Sequence, residues 1–189
     1  MTGVVEVRQR GPSALSVGVI VWLASELMFF AGLFAAYFTL RSSARTWPPR
    51  GVELATGRTA VATLVLLASS WTMHLAVKAA ERDDRRAAVR NLLLTMGLAV
   101  LFLGNLAWEY AEASFRIDTH AYGSIFFLMT GFHGLHVIGG ILFMTAVIGM
   151  IGGRGSRAEA GPSAQVCGYY WHFVDVVWVA MFATIYLLR

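Results

Sequence analysis

The stretch that most constrains this chain runs from Ala121 to Gly153, contains no Asp, Glu, Lys or Arg, and yet carries two histidines, His133 and His136. About 20 apolar residues cross the hydrocarbon core of a bilayer, so this run predicts a membrane helix, tilted or preceded by a short interfacial lead-in. Gly131, Gly134, Gly139 and Gly140 fall at or near helical repeats within it. Small residues let another helix come close where lipid supplies no hydrophobic drive to pack, so the helix expects near neighbours. The two histidines, three apart, are expected on one face. That face must meet something polar, because an imidazole turned to acyl chains leaves its ring nitrogens unsatisfied.

With 57% hydrophobic and 14% charged residues in 189, the chain falls far below the roughly 25% charged residues of a soluble domain. It reads as an all-α integral membrane protein. Five apolar blocks predict transmembrane helices over about 16–40, 59–79, 91–110, 122–150 and 168–188, joined by short connections in one domain without internal repeats. The net charge of +4 does not indicate a nucleic-acid partner, because the basic residues lie between apolar blocks, where topology explains them. Cys167 stands alone, which excludes an internal disulfide and a paired-cysteine metal site on this chain. No cleavable signal peptide is expected, since the first apolar block is long, contains Glu26 and precedes further apolar blocks.

Met1 to Pro12 is a polar lead with Arg8 and Arg10, and the first block follows from Ser13 to Leu40. Glu26, its only charge, lies about 15 Å into the helix at 1.5 Å per residue, near mid-membrane. An acid there is either a fastener between helices or a functional group. The loop from Arg41 to Arg58 contains Trp47-Pro48-Pro49, in which the prolines oppose helix and the tryptophan suits a headgroup-level anchor. Ser69, Ser70 and Thr72 in the second span can bond to carbonyls one turn back or to a partner helix, and His74 is expected at a wetted surface. Lys78 to Arg90 reads as helix ends around a tight turn. Asn105, Glu109 and Glu112 form a stripe at the end of the third span, with a solvated helix end as the first expectation and a polar seam as the alternative. Gly152 to Val166 reads as a polar, Gly-rich connection.

In the last block His172 and Asp175 share a face, with Trp171 and Trp178 on an adjoining one, a pattern expected to satisfy itself or fasten a partner helix. Loop charge gives nine basic residues on the N-terminal side against six on the other, which favours a cytoplasmic N-terminus and an external C-terminus. His133, His136 and His172 could nominally serve a haem, but two histidines three apart on one helix cannot clamp its opposite faces. A metal site combining them with His172, Glu26 or Asp175 stays open. So do a haem-bearing membrane cytochrome and an independent carrier that uses Glu26 with His172 and Asp175 as a relay.

Several segments, in order, carry a resemblance: Ala24-Ser25-Glu26-Leu27-Met28-Phe29-Phe30, the Trp47-Pro48-Pro49 loop, Leu66 to Ser70, Trp108-Glu109-Tyr110, Tyr122 to Gly140, and Tyr170 to Trp178. From about Ser16 to Leu187 the chain closely resembles subunit three of the haem-copper terminal oxidases, in the short bacterial form of five helices. The resemblance implies a non-redox accessory subunit of a respiratory oxidase of the cytochrome c type, which reduces dioxygen to water and pumps protons across the bacterial plasma membrane. A quinol oxidase of the same family is the alternative. It also implies no cofactor on this chain, haem and copper in partner subunits, contacts with subunits one and two and with further respiratory complexes, and bound phospholipid. In that family the subunit sustains proton uptake on the inner side and protects the catalytic subunit from inactivation during turnover. The family's carbodiimide-reactive buried glutamate matches Glu26. On this reading His133, His136, His172, Asp175, Glu109, Trp171 and Trp178 are packing and fastening residues, and none is catalytic or metal-binding. The two additional N-terminal helices of the mitochondrial pattern are lacking, and with them one wall of its lipid cleft.

Overall fold

The computed structural model describes residues 14–153 and 157–188; the polar lead of residues 1–12, and Arg154 and Arg189 among the loop charges, lie outside them. The described residues are helical apart from turns and loops, and contain five helices long and apolar enough to cross a membrane. These are α1 (Ala14–Ser43), α2 (Thr56–Glu81), α3 (Arg85–Glu112), α4 (Ala121–Gly152) and α5 (Arg157–Phe182), the last continuing into a π-helical turn over Ala183–Leu187. Each helix runs beyond its apolar block. Ala, Arg and Glu at the block edges are strong helix formers, so the backbone stays helical after the hydrophobic signal ends.

The ends are set by identifiable groups. Between α2 and α3 the chain reverses within three residues, with Asp83 in the left-handed region at φ 56°. The Asp84 carboxylate then accepts from the Ala87 N–H at 3.0 Å and caps α3. His120 caps α4 in the same manner, its Nδ1 accepting from the Gly123 N–H at 2.8 Å. Gly123 has to be glycine, because a Cβ there would lie 2.5 Å from the Arg116 carbonyl oxygen.

One expectation requires correction. The connection expected over Gly152 to Val166 is helical from Arg157 onward, with Pro162 inside the helix. A proline early in a helix removes a single intrahelical bond, and burial of Ala164 and Val166 holds these turns in place. Trp47 packs onto the bundle, its ring lying between Tyr37 at 5.3 Å and Tyr122 at 5.0 Å, and closes one end of it. The Trp47-Pro48 peptide bond is cis.

α2 pairs with α3 as an antiparallel hairpin; α5 packs on α2 and α4, α3 on α4, and α1 on α4 and α5. In the apolar stretch of α5 56% of residues are buried, against 6% in α1, so α5 is the inner helix and α1 the peripheral one. The glycines of α4 divide between two neighbours. A Cβ on Gly134 would lie 3.1 Å from Leu106 of α3, whereas one on Gly140 would lie 2.6 Å from the Trp171 ring of α5. Trp171 is fully buried and cannot withdraw. Gly140→Ala is therefore expected to cost about 1–3 kcal/mol through overpacking. Gly104→Ala, with nothing within 4 Å of the new methyl, is expected to be neutral or stabilising by up to about 1 kcal/mol. Thermal unfolding in detergent compares the two, and equal midpoints would refute the close α4–α5 seat.

Candidate functional site

Among the described residues, three groups of polar side chains that draw on helices distant in sequence stand out inside the bundle. At the first, Glu26 of α1 meets His136 of α4, Oε2 to Nε2 at 3.2 Å. The other ring nitrogen, Nδ1, lies 2.7 Å from the Phe132 carbonyl oxygen. A carbonyl only accepts, so Nδ1 carries a hydrogen, and the contact at Nε2 then holds one proton, on the carboxyl or on the ring. Phe29 against Phe132 and Phe30 against His136 enclose the pair from two sides. It is not sealed, since Glu26 keeps 24% and His136 15% side-chain exposure. Tyr170 of α5 completes this junction by donating its hydroxyl to the His136 carbonyl at 2.8 Å and stacking on Trp22 at 5.4 Å.

The second seam joins α5 to α2. The Trp171 indole N–H donates to Ser69 Oγ at 3.0 Å, and that of Trp178 to Thr63 Oγ1 at 2.9 Å. Both hydroxyls in turn donate to carbonyls of their own helix, Ser69 to Leu66 at 2.5 Å and Thr63 to Thr59 at 2.8 Å. Beside them Ser70 Oγ donates to Asp175 Oδ2 and lies 3.0 Å from His172 Nδ1. The serine has one hydrogen to give, so with it on Asp175 the His172 Nδ1–H donates to the serine oxygen. His172 and Asp175 thus meet through Ser70, and the helix they fasten is α2.

The third seam lies near the opposite ends of α2 and α5. Tyr186, in the π-helical turn, donates its hydroxyl to Glu109 Oε2 at 2.7 Å, and Thr59 Oγ1 stands 3.4 Å from the same oxygen. Glu109 is only 4% exposed. The solvated-end expectation therefore fails for Glu109 and fits Glu112, which is exposed, receives Arg58 at 2.6 Å and the Trp108 indole at 2.5 Å, and stands beside Arg58 stacked over the Trp108 ring. The stripe splits because Glu109, one turn inside α3, turns inward against the turn that follows α5, whereas Glu112 is the last residue of α3 and clears the helix end.

The two histidines of α4 do not share an environment. His136 faces α1, whereas His133 is fully buried between Phe102 of α3 at 5.8 Å and Trp178 of α5 at 4.9 Å. Neither nitrogen of His133 has a hydrogen-bond partner among the described residues. The expected polar neighbour is absent there, and aromatic rings take its place. His74 is exposed on α2, beside Trp71. Among the described residues no three His, Cys, Asp or Glu side chains are grouped to hold a metal ion. Sequence reading passed over the tyrosines: Tyr37 donates to the Thr184 carbonyl at 3.1 Å, Tyr110 bonds Thr130 at 2.7 Å, and Tyr170 and Tyr186 anchor the junctions above. The available signal was a phenol deep in an apolar run, where its hydroxyl needs a partner as much as a carboxyl does.

A family model described as cytochrome c oxidase subunit III matches residues 7–189 of the chain. A probable cytochrome c oxidase subunit 3 from Nocardia farcinica is 45% identical over 183 residues, covering 94% of this chain and 90% of the relative. Cytochrome c oxidase subunit 3 from Corynebacterium diphtheriae is 42% identical with the same coverage, and that from Thermostichus vulcanus 36%, covering 94% of this chain and 89% of the relative. With its five membrane-crossing helices and interhelical polar seams, this chain belongs to the cytochrome c oxidase subunit III family, as a multi-pass membrane subunit of an oxidoreductase complex.

Proposed function

We propose that this chain is the non-redox accessory subunit of a proton-pumping oxidase that reduces dioxygen to water, and that the haem and copper centres lie in partner subunits. Its work is mechanical and protective: it packs beside subunits one and two, binds membrane phospholipid, and helps sustain proton uptake and the working life of the catalytic subunit. The observation that carries this reading is how five of the intramembrane polar groups are engaged. Glu26, His136, His172, Asp175 and Glu109 each bond to a side chain on another element of the same bundle. Paired in this way, such groups act as glue between helices, where an unpaired one would cost several kcal/mol. The partial exposure of the Glu26–His136 pair supports a further role, exchange of its shared proton with a neighbouring subunit or lipid-side water. The bias of basic residues supports a plasma-membrane orientation with the N-terminus in the cytoplasm.

The chain is expected to copurify with an oxidase core in mild detergent and, isolated, to show no haem spectrum and no ion flux in vesicles. A stoichiometric pigment on the isolated chain would overturn the proposal.

Two substitutions separate fastening from proton exchange. Glu26→Gln keeps a hydrogen-bonding group of the same size, so assembly is expected to hold while turnover lifetime falls. Glu26→Ala is expected to lower both, and identical turnover and assembly in the two variants would remove Glu26 from either role. At the α5–α2 seam, Ser70→Ala strips the shared partner from His172 and Asp175 and is expected to destabilise the subunit by about 1–2 kcal/mol. The fraction of subunit retained through detergent washing reads this out. Asp175→Leu is expected to lower retention as well, and unchanged retention in both variants would show that the seam is not a fastener.

A further inference from the structure

α3 begins with Arg85, Arg86 and Arg90 where α4 ends at Ile151 and Gly152, and a groove of about 680 Å³ lies between the two ends. Leu93 and Leu94 form its wall. Arg86, Arg90, Leu93 and Leu94 follow the i, i+4, i+7, i+8 spacing of one helical stripe, with the leucines about 10 Å deeper along the axis than Arg86. The groove is therefore cationic at its mouth and apolar toward the membrane interior.

Among the described residues its charge is not neutralised. Arg85 stands 3.7 Å from Asp83, whereas Arg86 and Arg90 are exposed and have no carboxylate partner among the described residues. Leu93 and Leu94 are 55% and 51% exposed, while Ile151 is buried at the base. A Cβ on Gly152, at the mouth, would meet nothing within 4 Å among the described residues. A ligand matching this gradient has a phosphate with net negative charge joined to a hydrocarbon chain. A zwitterionic headgroup would bring its own cation among the guanidiniums, so the geometry favours a headgroup without one.

We propose that this α3–α4 groove binds one anionic glycerophospholipid, its phosphate held by Arg86 and Arg90 and an acyl chain laid along Leu93 and Leu94. The proposal gives a place and a headgroup charge to the lipid binding in the proposed function, on which it rests.

The test uses the oxidase complex carrying either the wild-type chain or Arg86→Gln/Arg90→Gln, stripped of lipid in detergent and then offered phosphatidylglycerol and phosphatidylcholine in equal amounts. Native mass spectrometry counts bound lipid and subunits in the same spectrum. Wild type is expected to prefer phosphatidylglycerol at one position by about twenty-fold. The double variant is expected to lose that preference with subunit content unchanged. Leu93→Trp, which crowds the wall and leaves the charge alone, is expected to release the same lipid, and excess inorganic phosphate is expected not to displace it.

An equal preference in wild type and double variant would overturn the site, as would displacement by inorganic phosphate or a cross-link from Leu94 to a partner helix lying in the groove. Lipid binding without headgroup preference would overturn this inference and leave the broader lipid reading standing. Absence of every lipid class from the wild-type complex would overturn both.

Discussion

The structure depends on a constraint imposed by its solvent: within a bilayer a donor or acceptor that does not meet protein meets hydrocarbon. The α5–α2 seam shows the consequence most clearly. Two fully buried indoles, Trp171 and Trp178, each carry one N–H that no lipid can satisfy, and each finds a hydroxyl on α2. The seven-residue spacing of the tryptophans puts them two turns apart on α5, and Ser69 and Thr63 stand at matching heights on α2. One pair fixes the distance between helices; two pairs fix sliding and rotation as well. The Ser70 contacts to His172 and Asp175 fall within the same stretch of α5 and add a third tie to that register.

Around this seam the remaining helices take up positions by shape. α4 has little polarity to direct it and instead offers backbone, so α3 and α5 close onto opposite sets of its glycines. Gly134 admits Leu106 on one side and Gly140 admits Trp171 on the other. The π-helical turn after α5 has a related effect. A wider turn rotates the residues that follow it, and Tyr186 there reaches Glu109 of α3, so a carboxylate near the end of an otherwise apolar helix is held by a phenol.

The number of helices was legible because apolar runs of this length with so few charges admit one physical solution. So was the need of Glu26, His172 and Asp175 for partners, which follows from their depth alone. The identity of those partners was not. On a helix that is apolar all round, periodicity does not indicate which side faces the bundle. Hence His133 and His136, three apart, were read as one face although one enters an aromatic cage and the other meets α1. Glu109 misled for a similar reason, since proximity to a helix end says nothing of whether another helix covers that end. Trp47 was read by its residue type, which does not reveal that its ring packs between Tyr37 and Tyr122. The early turns of α5 were hidden by Gly161 and Pro162, whose local preferences were outweighed by packing against α2 and α4.

The peripheral position of α1 bears on how such a chain is made. Its ties run to the end of the sequence: Glu26 to a histidine 110 residues later, Tyr37 to a carbonyl 147 residues later, and Trp22 to Tyr170. A ribosome delivers the N-terminal segment first, yet its docking surface does not exist until the final helix has left the insertion machinery. α1 thus enters the bilayer ahead of the helices that seat it, and Glu26 waits through that interval for the imidazole that will receive it.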